Sequence, residues 1–150
     1  MDQRETKIRE IQEKIGRAVN GDNWNEINEE LTEKRIGWYA KNRGDLVLEG
    51  SEVRKAYTLF LLDYLKIDPG EVPIVHEDET RIVWRSSNWC PVVEACERGG
   101  FDTREVCKKG WESSVQAMIE RINPRLRFSR NYDRIRPHSD YCEEAIELVV

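Results

Sequence analysis

The sequence predicts an α+β fold: an antiparallel sheet with helices packed on one face, preceded by a helical N-terminal segment. Three observations predict it. Up to Asp68 the apolar residues recur at helical steps, with charged residues between them. After Pro73 the period changes to two, in β-branched and aromatic runs bounded by turn residues. The resulting order, helices, hairpin, helices, strands, groups the strands rather than alternating them with helices as a parallel sheet requires. At 150 residues and 39% hydrophobic, the chain suits one domain over 1–150. Its helical part covers 1–68, and its α+β part, 72–150, holds every cysteine.

The first helix follows from Ile8, Ile11, Ile15, Ala18 and Val19 on one narrow stripe, ended by Gly21. Asp22 is the expected N-cap of a second helix carrying Trp24, Ile27, Leu31 and Trp38, which breaks at Gly44-Asp45. A short strand at Leu46–Leu48 is an alternative there. A third helix runs from the cap Ser51 through Val53, Ala56, Tyr57, Phe60, Leu61, Tyr64 and Leu65 to the stop Asp68-Pro69-Gly70. Its broad apolar face predicts burial. Ile74-Val75 and Ile82-Val83-Trp84 flank an acidic turn and predict a hairpin.

Pro91 fits the first turn of a helix that Gly99-Gly100 stops, and Asp102 or Thr103 caps a longer one from Arg104 to about Ile122. Cys107, Trp111, Ser114, Met118 and Ile122 share its stripe. Leu126 and Phe128 begin a strand that resumes after a turn near Asn131 and continues through Ile135. A turn at Pro137–Asp140 then leads to a last strand, with Cys142, Ile146 and Leu148 facing inward against Glu143 and Glu147.

A charged fraction of 35% and a net charge of −5 describe an acidic surface, which disfavours nucleic acid as a partner. No apolar run reaches the ~20 residues that span a bilayer. The start Met1–Lys7 lacks the apolar core of a signal peptide, so the expected location is the cytoplasm. A reducing compartment turns the cysteines from disulfide partners into candidates for metal binding, catalysis or burial. The stripes before Gly44 fit either the same domain or the seam of a homodimer.

All four cysteines, Cys90, Cys96, Cys107 and Cys142, lie between Trp89 and Glu144. With Cys90-Pro91, Glu94-Ala95-Cys96, Cys107 in the following helix and Asp140-Tyr141-Cys142-Glu143, this stretch resembles the 2-aminothiazoline-4-carboxylate hydrolase-like family. It is more distantly similar to small-molecule-binding domains of the vinyl-reductase type. The first resemblance implies a small hydrolase of C–N bonds that opens a thiazoline ring. The second implies a non-catalytic sensor or carrier, in some relatives with zinc held by cysteines and an acidic residue. This chain departs from that pattern: Tyr132, Asp133, Arg134 and Arg136 stand where a further cysteine is expected.

For catalysis the candidates are Cys90 at a helix start, which favours its thiolate, with Glu94 and His138 as acid or base. For metal they are Cys96, Cys107 and Cys142, with zinc the ion that such donors suit. Arg134 and Arg136, with Trp89, are the candidates for holding a small carboxylate ligand, because arginine binds carboxylates through a planar fork. Arg125 and Arg127 read instead as the outward face of the sheet, opposite acidic residues of the last strand.

Overall fold

Helix α1 (Gln3–Gly21) forms where the apolar stripe predicts, and Ile8, Ile11, Ile15 and Ala18 are the residues it buries. Asp2 caps its start by accepting from the Arg4 N–H. The structure is a computed structural model, and it describes residues 2–150. Asp22 does not cap the second helix as expected. It closes α1 in the left-handed conformation (φ 46°), and the Asn23 side chain accepts from the Asn25 N–H to start α2 (Asn25–Asn42). The two helices then serve different partners, α1 packing on α4 (Pro91–Gly99) and α2 on α6 (Ser113–Ile119).

Ser51 caps α3 (Glu52–Tyr57), its hydroxyl 3.2 Å from the Arg54 N–H. Beyond Tyr57 the helix widens into a π-helical turn, Thr58–Tyr64, where the Leu65 N–H reaches back to the Phe60 carbonyl. Such turns are uncommon and recur at functional sites. The buried Leu59, Phe60 and Leu61 lie in it. Leu46–Leu48 enters no strand ladder.

The sheet contains β1 (Ile74–Glu77), β2 (Arg81–Ser86), β3 (Leu126–Arg130) and β4 (Cys142–Leu148), in the order β1-β2-β4-β3, every neighbour antiparallel. Register decides which side chains share a face. Trp84 stands opposite Glu144, and Glu144 opposite Arg130; one step along, Ile82, Ile146 and Phe128 form a second row. Helices cover this face. On the other, Arg127 stands opposite Glu147, and Arg85 pairs with Glu143 at 3.1 Å.

Two predicted elements break earlier than their patterns suggest. The long helix is two: α5 (Thr103–Gly110), capped by Asp102, and α6. Trp24 lies against Gly110, where an added Cβ would come within 3.2 Å of its ring, and the chain leaves the helix at Trp111. The strand expected to resume after Asn131 is a loop. The Asn131 side chain accepts from the Asp133 N–H, and Glu143 N–H closes the loop onto the Arg134 carbonyl.

Apolar residues gather into two cores. One lies between α3, its π-helical turn, α6 and the sheet, and includes Phe60, Trp84, Phe128 and Ile146. The other joins α1, α4, α5 and the start of α2, and includes Ile15, Trp24, Ala95, Cys96, Cys107 and Cys142. Strand β4 feeds both. Glu144, between Cys142 and Ile146 on the covered face, stands at the seam.

Candidate ligand-binding site

The seam is polar. Glu144, 7% exposed, accepts from the Ser86 hydroxyl at 3.1 Å and pairs with Arg130 at 3.2 Å. Arg130 also donates to the Cys107 carbonyl and lies over the Phe128 ring. Burial disfavours the Arg130 charge, but Glu144, Cys107 and Tyr132 together outweigh it and hold the guanidinium above its ordinary pKa. Tyr132, which donates to Glu112, interacts with the same guanidinium. Burial and Glu112 push the Tyr132 hydroxyl up.

The second buried cation is Arg35 on α2, 6% exposed. It lies over the rings of Phe60 (5.2 Å) and Tyr64 (5.7 Å), both from the π-helical turn. Its Nε and Nη1 are buried without a hydrogen-bond partner. Among the described residues no carboxylate is within ion-pair distance of it. Burial pushes its pKa down and Arg130 adds to this, while Tyr64, by charge and by a side-chain hydrogen bond, and the Glu144 carboxylate oppose it. Two further groups are likewise unpartnered, one on the sheet and one on the covering α6: Trp84 Nε1 and Ser114 Oγ are buried with no partner. Most native buried polar groups are hydrogen-bonded, so this many orphans in one interior ask for an explanation.

The cysteines surround the neighbouring core. Cys142 Sγ accepts from the Arg136 backbone N–H (3.4 Å) and from its Nε (3.3 Å), while Arg136 Nη1 donates to the Asn88 carbonyl at 2.5 Å. Arg136 is thus engaged in holding the loop before β4. Arg134 is exposed, and Trp89 packs under Arg4.

Cys90 does sit at the start of α4, but desolvation dominates there. Although the residue as a whole is part-exposed, burial of its thiol raises the pKa, against the opposing pull of the Val93 N–H and Arg136. Burial also pushes Cys96 up to about 12 and raises Cys107. His138 bonds Asp102 at 3.3 Å on the surface, at the cap of α5, so it forms no pair with a cysteine. Glu94 is part-buried one turn into α4.

Among the described residues, no three His, Cys, Asp or Glu side chains form a group that could hold a metal ion. Cys96, Cys107 and Cys142 are brought into one core, where they pack among apolar side chains. A thiol count tests this directly. At neutral pH a mild disulfide reagent is expected to modify the native chain slowly and to titrate all four cysteines after unfolding; one fast native thiol would contradict it.

Two surface depressions lie elsewhere, of about 300 Å³ beside Asn28 and Thr32 and about 490 Å³ beside Val47 and Arg54. Neither contains the seam residues. Among the described residues no helix is long and apolar enough to cross a membrane. No protein-family model, curated protein or solved structure matches the chain.

Arg35, Arg130 and Glu144 escape a reading of the sequence for reactive residue types, but each carries a positional signal. Arg35 falls four residues after Leu31 and three before Trp38, on the stripe of α2. Glu144 alternates with Cys142 and Ile146, and Arg130 with Phe128. A charge on a buried period is the mark to look for.

Proposed function

We propose that this protein is a non-catalytic small-molecule-binding or sensor module whose ligand seats at the seam between the two cores. The observation that carries this reading is Arg35, a buried guanidinium with two unpartnered donors. A charge enclosed without partners is among the most unfavourable arrangements in a protein interior, and a ligand that supplies the partner relieves it. Entry requires a displacement, for which the π-helical turn under Arg35 is the suited element. The free state of all four cysteines goes with a cytoplasmic location.

Ligand carry-over gives the test. Protein purified without added ligand is unfolded, and the released small molecules are compared by mass spectrometry with those from an Arg35→Met variant. A compound released in near-equal amount to the parent protein and missing from the variant is the expected result. Identical, empty extracts, together with no thermal shift in a broad small-molecule screen, would remove the reading.

One observation favours a second reading, a hydrolase of C–N bonds in small carboxylates. Arg136 places two N–H donors on Cys142 Sγ, and its charge opposes, without outweighing, the burial that raises the Cys90 pKa, so one cation stands beside both candidate nucleophiles. Turnover of thiazolines or related amides by the parent, lost in a folded Cys142→Ala or Cys90→Ala variant, would establish it. No turnover by the parent would remove it for those substrates.

A further inference from the structure

The seam encloses three charged side chains, and their signs do not balance. Glu144 neutralises Arg130 at 3.2 Å, and both are nearly buried, with side chains 8% and 11% exposed. Arg35, on the facing helix, shares the field of the same Glu144 but has, among the described residues, no carboxylate at ion-pair distance. Glu112, beside the seam through Tyr132, is part-exposed and occupied by that hydroxyl. One negative charge is missing from the interior.

The surroundings of Arg35 limit what can supply it. Phe60 and Tyr64 lie beneath the guanidinium, Phe60 packs edge-on to Phe128 at 6.3 Å, and Trp84 lies 6.4 Å from the same Phe128. These walls are apolar, so a group of more than one charge would stay under-solvated there. A carboxylate brings a single charge and can accept from two N–H donors, and an apolar remainder fits the rings. Resting on the small-molecule reading above, we propose that the ligand is a small monocarboxylate with an apolar body, its carboxylate held by Arg35 at the seam.

The test is calorimetric titration of the full chain with benzoate and hexanoate, their neutral amides benzamide and hexanamide, and inorganic phosphate. The acids are expected to bind at least roughly tenfold more tightly than the amides, the scale of a charge-assisted hydrogen bond. Arg35→Met should abolish that preference, and the exposed control Arg134→Met should keep it. Should Arg35→Met fail to fold, the acid-to-amide ratio of the parent decides alone. Equal binding of acids and amides, an acid preference that survives in Arg35→Met, or tighter binding of phosphate would overturn the carboxylate while leaving a small-molecule module standing. No binding of any probe, with no compound released on unfolding, would overturn both.

Discussion

Glu144→Gln is expected to lower the free energy of unfolding by about 3–5 kcal/mol, the largest effect of any single change at the seam. The amide preserves the shape of the side chain and can still accept from Ser86. It removes the charge that compensates Arg130, whose guanidinium is almost fully enclosed and stacked on Phe128. Two buried cations would then face each other across the seam with no anion between them, since Arg35 and Arg130 already repel. Removal of one partner from a buried pair leaves the desolvation penalty of the other in place, which is why the loss exceeds that of an exposed pair such as Arg17–Glu26. Arg130→Met combined with Glu144→Leu should recover most of the loss, because it removes both desolvated charges. Chemical denaturation of the parent, Glu144→Gln and the double variant measures this. A loss below about 1 kcal/mol for Glu144→Gln would show that solvent reaches the pair.

The parts of the fold that depend on local periodicity were legible in the sequence. The stripe of α1, the hairpin of β1 and β2 and the inward set of β4 each follow from spacing alone, and the covered and open faces of the sheet follow from them. What periodicity could not show depends on neighbours distant in sequence. The break between α5 and α6 lies where Trp24, from another helix, rests on Gly110. The π-helical turn continues a run of apolar residues that an α-helix would bury as well. The site shows the same division. Cysteines, histidines and an arginine run attract a search for chemistry, yet His138 is taken up by a helix cap, Arg136 by a loop and three thiols by packing. Arg35 attracted none, because one arginine in an acidic helix is unremarkable until its place on the stripe is counted. Its two unpartnered donors are a tertiary property, set where Phe60 and Tyr64 pack from the helical segment after the next break.

Arg35→Met is expected to raise the free energy of unfolding by about 1–3 kcal/mol in the absence of ligand. Methionine matches the unbranched stem of arginine and its sulfur packs well against aromatic rings, so contact with Phe60 and Tyr64 survives the change. The guanidinium, in contrast, contributes little that survives burial. It has ring contacts, the interaction with Tyr64 and a share of the Glu144 charge, set against desolvation, two unsatisfied donors and repulsion from Arg130. Cation–π attraction is worth about 2 kcal/mol or somewhat more when desolvated, less than the several kcal/mol that enclosing an unpaired charge costs. A residue that destabilises its own fold in this way is the signature of a site arranged for something other than stability. The sign of the effect is therefore the informative quantity, and thermal or denaturant unfolding of ligand-free parent and variant gives it. Stabilisation that disappears once a carboxylate is added to the parent would tie the strain to the missing anion. Destabilisation by Arg35→Met of 1 kcal/mol or more would instead make Arg35 a structural group with partners of its own.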